Sequence, residues 1–245
     1  MFIFIRLLLA HCLGDFPFQS NHIFKLKQKG PKGVLLHAFI IVACCLALCW
    51  PYLFLPQVLV FIAFIGVTHF IQDYVKIKFS NPKSQFWLYI LDQLSHAGVI
   101  ALLFLTSLKD LQPPLDQANV LLRLYNNDQL IIYLIVLILA TYNGFFLIES
   151  FKTSFWGGTR SFDRFEKSYG MLERAMIVSA FLARDHFLLL VPAVLLMRPL
   201  TFFLFKERFK FPENFISFKE ICLGWGVGIL GGLALFLLQP GHPIY

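Results

Sequence analysis

Charge is scarce in this chain. Asp, Glu, Lys and Arg make up 14% of its 245 residues, against 58% hydrophobic residues. A soluble domain carries about 25% charged residues, and no water-soluble core hides this much apolar surface, so a soluble globular fold is excluded. Cysteine is also sparse. The five cysteines, Cys12, Cys44, Cys45, Cys49 and Cys222, all fall in apolar stretches, an odd number without zinc-finger spacing. That excludes a disulfide framework and reads as free, buried thiols. The first apolar run lacks a lysine-rich start and a small-residue cleavage site, so it is expected to stay as a helix rather than leave as a signal peptide. The basic residues form no continuous tract. They sit in short clusters between apolar runs, where they orient a membrane protein, so the net charge of +7 needs no nucleic-acid partner.

What the chain has in abundance is apolar runs near the roughly 20 residues that cross a bilayer. Eight spans are expected, over about 1–19, 33–50, 56–75, 86–106, 129–149, 171–184, 187–203 and 219–239. The fold class is all-α: a polytopic bundle of seven or eight transmembrane helices, forming one membrane domain over 1–245. Residues 1–106 make a four-helix part and 107–245 add further helices. Residues 171–203 are either one bent helix or two short ones, and the hairpin is preferred because it keeps the last basic loop on the same side as the others. The loops around Lys27, Lys78, Arg164 and Arg208 are then cytoplasmic, with both termini outside. Gly224, Gly226, Gly228, Gly231 and Gly232 in the last span point to close helix packing.

Ionisable side chains cost several kcal/mol at membrane depth and need a partner or a purpose. The first four spans hold many. His11, Asp15 and Gln19 are spaced i, i+4, i+8 and share a helical face; His37 follows in the second span; His69 and Asp73, then Asp92 and His96, are again i, i+4 pairs, with Gln93 between. His11, Asp15, His37 reappears as His69, Asp73, His96, at intervals of 4 and 22 residues, then 4 and 23. The two copies run the same way through the membrane, which implies two related helical hairpins feeding one centre near the cytoplasmic face. These six residues are the candidate metal ligands. Mixed imidazole and carboxylate donors suit zinc first, or manganese or iron, better than magnesium or calcium. A packing network and a proton or ion pathway stay open as alternatives. Asp92 is the candidate general base, with Gln19 and Gln93 as donors that orient the ligands. Glu173 and Arg174 are candidate substrate-binding residues, Arg174 as a clamp on phosphate, with a helix-end ion bridge as the alternative.

His11-Cys12-Leu13-Gly14-Asp15-Phe16-Pro17-Phe18-Gln19, read with Asp92-Gln93-Leu94-Ser95-His96, resembles a bacterial membrane family, the domain of unknown function thirty-three-oh-seven. The match covers mainly residues 5–100, and Gly170-Met171-Leu172-Glu173-Arg174 looks like a further segment of it. The resemblance implies residence in the bacterial inner membrane and, in its His/Asp pattern, is similar to membrane-bound metal-dependent hydrolases. The expected function is hydrolysis of a lipid or lipid-linked substrate, phosphate-bearing ones included, at the cytoplasmic leaflet. A proton or metal-ion transporter using the same residues is the alternative, disfavoured because the first four spans lack the internal prolines of broken transport helices. A non-catalytic scaffold is the third reading.

Overall fold

The computed structural model describes residues 1–114, 119–157, 164–211, 215 and 217–238, with the backbone alone at 184, 185 and 188. Among these residues all regular structure is helical. Five helical segments are long and apolar enough to cross a membrane: Pro31–Leu48, Pro56–Phe79, Pro82–Leu105, Asp128–Phe155 and Phe218–Leu238. The chain is a membrane protein by the length and composition of these helices. It divides into two compact units, Met1–Ile135 and Val136–Tyr245.

The first unit starts with α1 (Phe2–Asp15), α2 (Asn21–Lys29), α3 (Pro31–Leu48), α4 (Pro56–Phe79) and α5 (Gln85–Ala101). Proline opens both α3 and α4, where its missing N–H costs nothing. α1 packs on α3, α3 on α4, α4 on α5, and α5 back on α1, so the four form a closed ring with α1 and α4 at opposite corners. Ile3, Leu7, Ile41, Cys45, Ile62 and Ile100 fill one end of it. There the fully buried Arg6 donates to the carbonyls of Phe2 and Tyr125 and pairs with Asp128, which gives a guanidinium at membrane depth partners for both terminal nitrogens. Short α6 (Val120–Asn126) supplies Tyr125, and α7 (Asp128–Ile138) supplies Asp128.

Two expectations for this unit change. The first span ends four residues earlier than the spacing suggested, because Pro17 has no N–H for the Leu13 carbonyl, which accepts from Phe18 N at 3.0 Å instead, so Gln19 lies beyond the helix and not on its face. The stretch after it is no simple loop. It folds as α2, with Ser20 Oγ accepting from Ile23 N at 3.3 Å, and reverses into α3 at Gly30, whose φ of 141° suits glycine. α2 lies directly on α3 at Gly33, where a Cβ would come within 2.0 Å of the Leu26 carbonyl oxygen.

The second unit contains a π-helical segment (Leu139–Asn143), α8 (Gly144–Phe155), α9 (Arg164–Ala180), α10 (Phe187–Phe205) and α11 (Phe218–Leu238). Residues 171–203 are two helices joined by a 3-10 turn, Phe181–His186. They pack against each other with Tyr169 and Thr201 hydroxyls 3.0 Å apart, the hairpin alternative. The glycines of α11 bring it against α9 and the turn after it: a Cβ on Gly228 would meet Ile177 at 3.1 Å, and one on Gly232 the Phe181 ring at 2.1 Å.

Candidate metal centre

The four helices of the ring each turn ionisable groups inward. His11 and Asp15 come from α1, His37 from α3, His69 and Asp73 from α4, and Asp92 and His96 from α5, none more than 6% exposed. The i, i+4 spacing aligns each pair on one face, and ring closure makes those faces converge. Asp15, His37 and His69 place three ligand atoms within 4.8 Å of one another, and so do His69, Asp73 and His96, with His69 common to both groups. His11 joins them through ring centroids 5.4 Å from His69 and 5.0 Å from His96, while its Nε2 lies 4.0 Å from Asp15 Oδ2. The six candidate ligands therefore form one cluster.

Many of their atoms lack hydrogen bonds. His37 Nε2 pairs with Asp15 Oδ1 at 3.0 Å, but His11 Nε2, His69 Nε2, His96 Nε2 and Asp92 Oδ1 have no hydrogen-bond partner. The closest approaches, His69 Nε2 to Asp73 Oδ2 at 3.3 Å and His96 Nε2 to Asp92 Oδ1 at 3.4 Å, lack hydrogen-bond geometry. A buried unsatisfied polar atom costs about 1–3 kcal/mol, so several facing one another is an expensive arrangement unless a shared partner satisfies them.

Two lysines complete the cluster. Lys27, on α2, lies 2.7 Å from Asp73 Oδ2 as an ionic contact and donates to Gln19 Oε1 at 2.8 Å. Lys76 donates to Asp92 Oδ2 at 2.5 Å. Sequence reasoning assigned both to cytoplasmic loops, yet each carried a signal. Lys76 continues the face of His69 and Asp73 at i+7, and Lys27 shares a face with Ile23 and Phe24. The glutamines hold the assembly together: Gln93 Nε2 donates to Asp15 Oδ2 and Asp92 Oδ2, both at 3.1 Å, and Gln19 Nε2 donates to the Asp15 carbonyl at 2.9 Å.

The repeat is chemically unequal. By the register that matches His37 to His96, Asp92 corresponds to Gly33 and Gln93 to Val34. One hairpin thus offers a third carboxylate where the other offers no side chain, and that bare position is where α2 rests and delivers Lys27. Three carboxylates against two ammonium groups leave a net charge of −1, counting the imidazoles as neutral.

The second unit holds a separate polar cavity of about 40 Å³, bordered by Glu149, Glu166, Lys167, Arg174, Arg198 and Glu220 among others. Arg174 Nε donates to the Ala140 carbonyl at 2.8 Å and Nη2 to that of Thr141 at 3.1 Å. These carbonyls belong to the π segment, whose shifted register frees backbone acceptors. Glu173 accepts from Arg198 at 2.6 Å and from Trp225 Nε1 at 2.9 Å. Lys152 bridges Glu149 at 2.9 Å and Glu220 at 2.8 Å. The two candidate substrate residues thus sit in this unit, Arg174 at the cavity edge.

Burial, followed by the hydrogen bond and charge of Glu220, pushes the Glu166 carboxyl from its ordinary 4.5 up to about 8. A raised carboxyl binds its proton more tightly in the folded chain. The stability tied to it is therefore highest at low pH and is lost between about pH 4.5 and 8. Thermal melts from pH 5 to 8 should show this fall in wild type and a shallower one in Glu166→Gln; parallel curves would remove Glu166 as the group responsible.

No curated protein and no solved structure matches the chain, so the likeness in pattern to membrane-bound hydrolases has no counterpart there. One family model does match, that of "Protein of unknown function (DUF3307)", over residues 3–122. The stretch includes every His, Asp, Lys and Gln of the cluster, and it excludes Gly170–Arg174. Residues 3–122 therefore belong to the DUF3307 family.

Proposed function

We propose that the His/Asp cluster is a divalent metal centre, with zinc ahead of manganese or iron, and that the protein is a membrane-embedded hydrolase of the bacterial inner membrane. Its substrate is a lipid or lipid-linked molecule reached from the cytoplasmic leaflet. The observation that supports this most is the convergence of the unsatisfied His11, His69 and His96 imidazole nitrogens among buried carboxylates in one ring of helices. The donor set fits such an ion. When bound, a divalent ion polarises a phosphoryl or carbonyl group and makes water a competent nucleophile near neutral pH.

The remaining roles fall to the chain's own residues. Lys76 and Gln93 fix Asp92 Oδ2, which leaves Oδ1 to accept the proton of an attacking water. Asp15 orients His37, and Gln93 ties Asp15 to Asp92 across the site. A site at −1 becomes +1 with a dication, a charge that attracts one anionic substrate group such as a phosphoryl oxygen.

Metal analysis of detergent-purified protein, made without chelators, tests the reading. Wild type is expected to hold at least one ion per chain and to release phosphate or fatty acid from lipid vesicles. Asp92→Asn should keep the metal while turnover falls about 10²–10⁴-fold. Absence of stoichiometric metal would end the proposal. Metal without hydrolysis, accompanied by ion movement across sealed vesicles, would replace it with the transporter reading. The orientation is testable separately, in a Cys222→Ser background that removes the exposed thiol. Cysteines placed at Lys78 and Arg208 should react with an impermeant reagent only after the membrane is opened, and labelling of intact cells would invert the topology.

A further inference from the structure

The outer side of the α3–α4 seam carries a recess of about 350 Å³ with an almost wholly apolar lining. Its floor is small, Ala38 and Gly66, and its rims are Leu35, Phe39, Val67 and Phe70. Leu35, Phe39 and Val67 are 47%, 62% and 60% exposed, a large apolar surface left uncovered by the chain. The recess runs along residues 35–42 and 63–70, about 10 Å of helix, inside two segments fit to cross a membrane.

One end of the recess is chemically marked. Beyond Phe70 the same stripe of α4 continues to Tyr74, stacked on Phe70 at 6.2 Å, and then to exposed Lys78. On α3 the stripe leads back from Leu35 to exposed Lys32. Both helices therefore pass from an apolar trough to a lysine, and α4 does so through an aromatic group with a hydroxyl. This order matches that of acyl chain, glycerol region and phosphate in a leaflet. Lysines at helix ends are ordinary in membrane proteins, and what sets this seam apart is the apolar recess that leads up to them.

We infer that the α3–α4 recess binds one acyl chain of an anionic phospholipid, with the lipid phosphate held between Lys32 and Lys78. The inference does not depend on the metal reading. A chain in the trough replaces a void with dispersion contacts along its length, and the small floor residues let it lie deep. His37 and His69 occupy the inner face of the same two helices, each next in sequence to a recess residue, Ala38 and Phe70.

The test places the full chain in nanodiscs containing a trace of phosphatidylglycerol with a photoreactive diazirine midway along one acyl chain. The matched phosphatidylcholine probe runs in parallel, and labelled peptides are mapped by mass spectrometry. Labelling is expected to concentrate on 35–42 and 63–70, well above the exposed lipid-facing leucines Leu230 and Leu237 of α11. Val67→Trp, at an exposed position that fills the recess without entering the core, should abolish the excess. Lys32→Gln with Lys78→Gln should weaken phosphatidylglycerol labelling by about 30-fold, the effect of two basic residues on an anionic lipid, and leave phosphatidylcholine labelling unchanged. Even labelling of all lipid-facing helices, or no response to Val67→Trp, overturns the inference. So does exclusion of both probes, the result expected if a second copy of the chain covers this face. Equal labelling by both probes, indifferent to the lysines, overturns the anionic assignment.

Discussion

Asp15→Asn and His96→Ala are each expected to reduce bound metal from stoichiometric to background while the chain stays folded. Asp15 belongs to one of the two three-ligand groups and His96 to the other, and His69 is common to both. A single ion held at His69 and drawing on both groups loses a direct donor with either change, and removing a neighbour that merely orients a ligand already costs 10- to 100-fold in affinity. The asparagine keeps the shape of Asp15 but offers a neutral oxygen in place of a carboxylate. It also breaks the charge-assisted contact to His37 at 3.0 Å, so that imidazole loses its orientation. Metal content per chain after gel filtration, compared with a helical spectrum unchanged from wild type, checks both variants. Retention of metal in both would mean that the ion, if present, sits elsewhere.

Lys27→Met is expected to have the largest effect on stability. Lys27 and Asp73 are both buried, 7% and 2% by side chain, and they meet at 2.7 Å. Removing one partner of a buried pair leaves an uncompensated charge and costs about 3–5 kcal/mol. Methionine keeps the length and the apolar stem, so the loss reports on charge more than on packing. The melting temperature of metal-free protein should fall markedly, and added zinc should raise it more in Lys27→Met than in wild type, because the ion then meets an unopposed carboxylate. An unchanged melting temperature would mean that the ammonium group does not stabilise Asp73.

The apolar runs and the inward His/Asp faces could be read directly, since membrane length and the i, i+4 spacing are local properties of sequence. The end of α1 was less accessible, because it depends on where the missing N–H of Pro17 interrupts the hydrogen-bond ladder. The lysines were missed for a different reason. Positive charges near a membrane boundary were counted as topology signals, and that count treats Lys27 as it treats the exposed Lys25 and Lys29, although α2 buries only Lys27. The partners of Arg174 could not be read at all. Its carbonyl acceptors exist only because residues 139–143 adopt a π register, and such a register follows from tertiary contacts.

The seat of α2 on Gly33 couples a surface element to the interior charge. Lys27 Nζ lies 2.7 Å from Asp73 Oδ2, so a cation arriving at that oxygen and the lysine compete for it. Competition for one atom is a thermodynamic linkage, and it is reciprocal: whatever draws α2 away from α3 raises the affinity of the site for a cation, and a bound cation loosens α2 by the same free energy. The basic, exposed side of α2 and the buried centre thus report on each other through one ammonium group.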